Sequence, residues 1–473
     1  MHKRKKLFIV FTILFFISVP VVIIYTQGYR LDTEKLELVK TGGIDLEITP
    51  INSSVYLNGE LERETSFLFR NAIFRNILPG EYNIGIEKDG YHGWQKNTVV
   101  EPGHVEKFAG VMLFPLETGI ASIKNDAISL NIAPDNRTAI IKAPAPATTE
   151  GAGAEQLILT DLNSGSQNPI LTLRAGEQVR QIEWSSNSSV FHILIDGNSE
   201  PLFYTGARDN GTELTNHTTF LSRSYPAVFN RNNIIVSSSE SPNTIYLFRK
   251  EIGQTLSLDR IDLQQRTIRP NVTDGILGFN IIDDNMFFLD SEGTIEKLGL
   301  SSETLSVISP TAIAKPNIID SKIIAREDQK AIVVINNGSV FLWQEGESLN
   351  KISNNVDNVS FSPDGKKLLM WNSEKVVIYW LEDVFGPPQK EAGDIETIEI
   401  SGVNSALWVN IESTHIALQT NERIIFTELD SRDRRNTVEY EIATDHNAFA
   451  LDLSRQVIYT LLEDRGLSVI DYK

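Results

Sequence analysis

The chain has 473 residues, with 62 acidic against 43 basic side chains, a net charge of −19, 41% hydrophobic residues and no cysteine. That length is about three times a typical domain of ~150 residues, and the ordinary apolar and charged fractions exclude a largely disordered chain. The missing cysteine excludes disulfides, thiol nucleophiles, thiolate metal centres and a lipidated N-terminal Cys, while the acidic balance excludes a nucleic-acid partner, which requires a basic surface.

Residues 1–6 read Met-His-Lys-Arg-Lys-Lys, and residues 7–25 form an uncharged aliphatic and Phe run broken only by Thr12, Ser18, Pro20 and Tyr25. At ~1.5 Å rise per residue such a run spans roughly 28 Å, about the hydrocarbon thickness of a bilayer. A helix is the state in which it satisfies its own backbone in lipid. Lys3, Arg4, Lys5 and Lys6 precede it without an acidic residue, so the positive-inside rule keeps the N-terminus cytoplasmic and the bulk of the chain extracytoplasmic. A cleaved signal peptide has the same charge order, but it needs small residues at the cleavage site, and the first alanine is Ala72. The reading is an uncleaved single-pass anchor. The remaining extracytoplasmic part is more acidic still, which favours solubility and would suit basic partners or cations.

After a polar connector (26–42) the pattern turns to strands. Ile44-Asp-Leu-Glu-Ile48 alternates apolar and acidic residues, Val55-Tyr-Leu57 precedes an Asn58-Gly59 hairpin turn, and a polar and aromatic stretch runs to Ile77. Tyr82-x-Ile84-x-Ile86 alternates again, followed by Lys88-Asp89-Gly90-Tyr91, Trp94, Val99-Val100 and a Pro102-Gly103 turn. The segment 43–115 therefore reads as a small antiparallel β-sandwich. Its stretches ITPINSSVYLNG (48–59) and LPGEYNIGIEKDGYHGWQKNTVVEPG (78–103) resemble the PEGA domain, a small surface β-domain of prokaryotic envelope proteins, with Pro50-Ile51-Asn52-Ser53 standing at the namesake turn. The resemblance implies an adhesion, scaffold or envelope-anchoring module and no enzyme. Tyr91 and Trp94 could stack on a sugar, but in so small a sandwich they are read as core.

From 116 to 473 short strands recur, with no helix longer than a turn or two. The clearest unit is Val359-Ser-Phe-Ser-Pro-Asp-Gly-Lys-Lys-Leu-Leu-Met-Trp371 followed by Lys375-Val-Val-Ile-Tyr-Trp-Leu381. Ile128–Ile141 and Ile182–Phe191 repeat its opening, and weaker copies start near Val228, Leu277, Ile319, Ala406 and Ala448. The spacing lies near the ~40–50 residue period of a four-stranded propeller blade. Packing such units around an axis buries both faces of each and leaves only short edges. The last unit stops after its third strand, so Gly119–Lys124 is expected to supply the missing outer strand. The segments 361–367 and 339–343 resemble WD-repeat-like and Tol-system-type blades, without the Gly-His and Trp-Asp marks of true WD repeats. Ala143–Gly153 reads as an exposed hairpin loop within the first unit, and Phe385–Gln389 as a second projecting loop.

No catalytic signature emerges. The seven histidines never stand at metal-binding i, i+4 spacing, and there is no phosphate-cradling loop or Gly-x-Ser-x-Gly elbow. Asp283-Asp284-Asn285 and Asp290–Gly293 lack the spacing of a calcium loop and read as turns. Arg432-Asp-Arg-Arg435 reads as a solvated loop. No cofactor or metal is expected. The expected fold is mainly β: a cytoplasmic tail (1–6), a transmembrane helix (7–25), the connector, the PEGA-like domain (43–115) and a seven- or eight-bladed β-propeller (116–473). The expected function is non-catalytic binding or scaffolding of a protein or envelope polymer through propeller loops. The alternative is a propeller-based hydrolase or lyase with a carboxylate/His site in its central funnel, and a signalling role through the anchor is a further one.

Overall fold

The computed structural model describes residues 2–32, 36–65, 71–146, 154–210, 213–226, 234–238, 241, 243–251, 254–314, 316–317, 321–386, 388–462 and 466–473. Its first element, helix α1 (His2–Thr26), starts before the expected 7–25 span, because the basic residues continue the helical backbone. Leu7–Thr26 is long and apolar enough to cross a membrane, and none of it is buried against the protein. Its hydroxyls bond back to the helix, Thr12 Oγ1 to Phe8 O (2.9 Å) and Ser18 Oγ to Phe15 O (3.3 Å). That pairing is what an apolar solvent demands of a polar side chain.

The polar connector carries more order than its composition suggests. Strand β1 (Tyr29–Asp32) pairs antiparallel with β2 (Glu37–Lys40), setting Leu31 opposite Leu38.

The first β-module has two sheets. In one, β3 (Gly42–Thr49) lies centrally; in the other, β4 (Ser54–Leu57) sits beside β5 (Glu60–Glu64). Strand β6 (Asn71–Ile77) flanks β3, while β7 (Gly80–Glu87) and β8 (Trp94–Val100) complete the second sheet, and β9 (Val105–Met112) returns to the first. The expected wholly antiparallel sandwich needs one correction: β3 and β9 run parallel. The turn at Glu101–His104 carries the chain from β8 across to the other sheet, where β9 enters on the free side of β3 in the same direction. The polar stretch before Ile77 also hides β5 and β6, whose Ala72 and Phe74 alternate into the core. Asn58 and Gly59 have φ of 51° and 84°, the pair of positive angles that a two-residue hairpin turn requires. Ile44, Leu46, Val55, Ile84, Ile86, Trp94 and Phe108 form the core between the sheets.

From Gly119 onward the described residues form eight four-stranded units, each starting with a strand at or near an expected position. These first strands are Ser129–Ile132, Gln178–Trp184, Ile234–Ser238, the second half of Thr267–Ile282, Ser321–Ala325, Asn358–Phe361, Ser405–Trp408 and Thr444–Asp452. The expected starts at Val228 and Ile319 fall outside the described residues. The third and fourth units share one long strand, Thr267–Ile282, whose first half pairs back to Leu256–Asp262 and whose second half pairs forward to Asn285–Asp290. The turn after the first strand repeats one backbone device, a left-handed residue at Asn136, Ser188, Gln329, Gly365, Ser413 and Gln456. In the unit with Pro363-Asp364-Gly365, Ser362 Oγ accepts from Lys367 N (2.8 Å) and donates to Asp364 Oδ1 (2.6 Å).

Strand β10 (Gly119–Lys124) pairs with Gly466–Asp471 as the outer strand of the last unit, as the sequence requires. The Ala143–Gly153 loop joins two paired strands of the first unit, with Ala145 N donating to Ala154 O (2.7 Å); residues 147–153 themselves lie outside the described residues. Neighbouring units share apolar clusters: Ile140 and Leu157 meet Phe191 and Ile193, Leu369 and Ile378 meet Trp408 and Ile416, and Tyr459 and Leu461 of the last unit meet Ala139 and Ile141 of the first. Each fully buried side chain of this size contributes roughly 1.5–3 kcal/mol over exposure. Polar side chains on first strands supply the open backbone edges of the next: Gln181 bonds both Val236 O (2.7 Å) and Val236 N (3.0 Å), and Asn280 Oδ1 accepts from Ala325 N (3.0 Å). Asn136 Nδ2 likewise donates to Leu451 O (3.0 Å), joining the first unit to the last.

The segment Arg432–Arg435, expected to be solvated, instead docks on the first module. Arg432 pairs with Glu106 (3.2 Å), donates to Lys107 O (2.8 Å) and lies 4.1 Å over the Phe108 ring. Asp433, the carboxylate inside this run, accepts from Asn97 N (2.9 Å) of the first module, and Asp430, just before the run, holds Arg432. At the centre, the fully buried Lys96 ammonium meets Glu428 (3.0 Å) and Asp430 (3.3 Å) and donates to the carbonyls of Asp430 (2.6 Å) and Arg432 (3.1 Å). The Trp94 indole N–H donates to Glu428 Oε2 (2.9 Å). Trp94 is thus core on one side and a junction anchor on the other, which leaves no face for a sugar.

Candidate functional site

The first-to-second-strand turns of the β units gather around two adjoining clefts. One, of about 760 Å³, is lined by Ile324–Asp328, Val359–Gly365, Glu382 and Leu453. The other, of about 780 Å³, is lined by Pro134, Glu183, Trp184, Ser186, Ser237, Phe279–Asp283 and Glu327. Glu327 belongs to both, and every unit except the seventh contributes at least one wall residue. Pro134 and Glu327, far apart in sequence, therefore line one cleft, and Glu327 and Leu453 the other. The local reason is the repeated tight turn, which aims the start of each second strand and the end of each first strand the same way.

The walls mix apolar surface with carboxylates. Two of these are neutralised in place: Arg326 grips Asp328 through two bonds of 2.8 Å, and Lys367 Nζ reaches Asp364 Oδ2 at 2.7 Å. Asp328 is held below the usual carboxylate range by its Arg326 bonds. Asp364 is also held low; burial opposes the shift, and the Lys367 and Ser362 hydrogen bonds outweigh it. Glu183, Asp283 and Glu327 form no ion pair among the described residues. Burial pushes the Glu183 carboxyl up to about 7, only weakly opposed by a 3.4 Å bond from Gln181. The mouth can therefore offer negative charge to an incoming cation, with one carboxyl titrating near neutrality.

Among the residues whose side chains are described, no histidine lines either cleft. His192 and His415 are buried inside sheets, each with Nδ1 3.0 Å from a threonine hydroxyl, and burial lowers both to about 3. Among the described residues no group of three or more His, Asp and Glu could hold a metal ion. Asp283 and Asp284 sit in the hairpin turn between Ile282 and Asn285, and Asp290 Oδ1 accepts from the backbone of Glu292 and Thr294 in the next turn. Both segments are turns, with Asp283 also facing the mouth. The residues named for orientation, Lys3, Arg4, Lys5 and Lys6, occupy the start of α1, where Arg4 and Lys5 are exposed and line neither cleft. What the sequence could not reveal is the convergence itself, because Glu183, Asp283 and Glu327 belong to three different repeats.

No family model matches the chain, and no curated protein matches it. Two solved structures are similar at 11% identity. One, described as "Crystal Structure of Mitotic Checkpoint Complex", has a TM-score of 0.40 and covers 76% of this chain and 95% of its own. The other, "Structure of U3-55K", has a TM-score of 0.37 and covers 75% and 98%.

Proposed function

We propose that the eight β units close into an eight-bladed propeller, carried on a PEGA-like domain and held by α1 at the outer face of a prokaryotic cell membrane, where it serves as a non-catalytic binding platform. The closure is supported by the apolar cluster and the Asn136 bond shared by the last and first units, and by the β10 strand that completes the last sheet. The observation that carries the binding role is the pair of clefts joined at Glu327: seven units line them, and four of their carboxylates, Glu183, Asp283, Glu327 and Glu382, form no ion pair among the described residues. The partner that fits is a protein segment presenting lysine or arginine side chains. Anchoring confines both partners to the membrane surface and raises their effective concentration without new contacts. A hydrolase or lyase with a carboxylate/His site would need a histidine in the funnel, and none of the histidines whose side chains are described lines either cleft.

The test is site-specific photocrosslinking in living cells from Ser186 and Ser360, which line the two clefts. Both positions are expected to capture the same envelope protein, with a yield that falls when Asp283→Asn and Glu327→Gln remove charge. Capture that is indifferent to those substitutions, or no adduct from either position, contradicts the proposal.

A further inference from the structure

The hairpin that follows α1 presents an apolar face that the protein leaves uncovered. In its register Leu31 faces Leu38, with Tyr29 and Lys40 on the same face, while Arg30, Val39, Asp32 and Glu37 take the other. Leu31, Leu38 and Leu36 at the tip are 55%, 52% and 77% exposed. A lone two-stranded hairpin is at best marginally stable in water, and three exposed leucines make it less soluble still.

This hairpin is fixed to the end of the helix. The Arg30 guanidinium lies 3.4 Å over the Tyr25 ring and donates to the Tyr25 carbonyl (3.0 Å), one of the terminal acceptors of α1. At its root, Thr41 donates to Gly28 O through both its amide (2.8 Å) and its hydroxyl (2.6 Å). Gly28 itself has φ +85°, the left-handed turn that ends the helix and starts the strand.

On the reading that α1 spans the membrane, we infer that the hairpin is a second membrane contact: it lies in the interfacial layer of the outer leaflet, with Leu31, Leu36 and Leu38 among the lipid and Asp32 and Glu37 turned to water. The occupant follows from continuity. The apolar run of α1 ends at Tyr25 and β1 begins at Tyr29, so the leucines stand within one short hairpin of the bilayer surface. Tyr25 and Tyr29 belong to the residue type that favours the headgroup layer, and Arg30 and Lys40 near the root offer cations to lipid phosphate. The contact holds the helix end at a defined depth and gives the first module a fixed seat above the membrane.

Because the chain has no cysteine, single cysteines can carry a nitroxide label. Four full-length variants, Leu14→Cys, Leu31→Cys, Glu37→Cys and Leu38→Cys, would be labelled and reconstituted in phosphatidylcholine–phosphatidylglycerol vesicles. Their collisions with dissolved oxygen and with an aqueous nickel chelate are then compared. The expected result is oxygen-dominated relaxation at positions 14, 31 and 38 and chelate-dominated relaxation at 37. Chelate-dominated relaxation at 31 and 38 with position 14 still deep overturns the hairpin inference and leaves the anchor intact. A water-exposed position 14 overturns both. Spin–spin broadening at 31 or 38 that disappears on dilution with unlabelled chain assigns the face to a second copy and also overturns the inference.

Discussion

Replacing Lys96 by methionine tests how the β units are seated on the first module. The ammonium is fully buried, with two carboxylates and two carbonyls around it. Methionine keeps the volume and removes the charge, leaving Glu428 at 4% side-chain exposure without its cation and the Asp430 carbonyl without the Lys96 donor, while the Arg432 carbonyl keeps its bond from Arg434 N (2.8 Å). Breaking a buried pair in this way costs about 3–5 kcal/mol. Glu428 would keep the bonds from Trp94 Nε1 and from Asn436 N (2.8 Å) and Nδ2 (2.9 Å), and Asp430 would keep Arg432. That residual support places the expected loss near the lower end, about 3 kcal/mol. Urea unfolding of the full chain in detergent, followed by tryptophan fluorescence, reads the loss as a lowered midpoint. The double variant Lys96→Met/Glu428→Gln removes both charges and is expected to recover about half of it, since contacting residues are not additive. A single variant within about 0.5 kcal/mol of wild type, or a double variant that simply sums two losses, refutes the claim that this ion cluster holds the junction.

Two further outcomes follow. Glu183 has a folded pKa of about 7 against 4.5 unfolded, so between those values the folded chain holds the extra proton, and stability falls as pH rises through that window before levelling off. Glu183→Gln should abolish this component and stabilise the protein above pH 7 by up to about 3 kcal/mol, read from denaturation midpoints at pH 5 and pH 8; an equal effect at both pH values contradicts it. Cysteines at Ala121 and Val469, which face each other across the β10 pairing, should form a disulfide on mild oxidation and stabilise the fold by about 2–4 kcal/mol, read as a raised unfolding midpoint; failure to oxidise in the folded protein contradicts the pairing.

The period-two alternation of Ile44–Ile48 and Ile84–Ile86, and the Pro-Asp-Gly turn at 363–365, announce their strands because local pattern and tertiary burial agree there. The β10 pairing was legible for a topological reason: a final sheet one strand short must borrow an edge from the start of its own domain. The parallel β9 escaped notice because strand direction depends on where the chain crosses between sheets, and no residue encodes that locally. The strands β1 and β2 escaped because each is short and half polar, with apolar residues that find no cover in the protein. Arg432–Arg435 was misread for a related reason. In sequence Asp433 looks like dilution of the run, whereas in the fold it accepts from Asn97 N across the junction, and Asp430, just before the run, holds Arg432 in place. The mouth carboxylates carried no signal at all, since their chemistry arises only when separate repeats converge.

The central claim, a binding platform held on the outer side of a cell membrane, is tested most directly by thiol labelling in spheroplasts. Phe385 is 85% exposed on the loop closed by the Val384–Lys390 bridge, and Phe385→Cys would be the only thiol in the full-length chain. A membrane-impermeant maleimide should label it in intact spheroplasts, while Lys5→Cys should react only after lysis. Labelling at Lys5→Cys before lysis, with Phe385→Cys protected until the membrane is broken, would contradict the account.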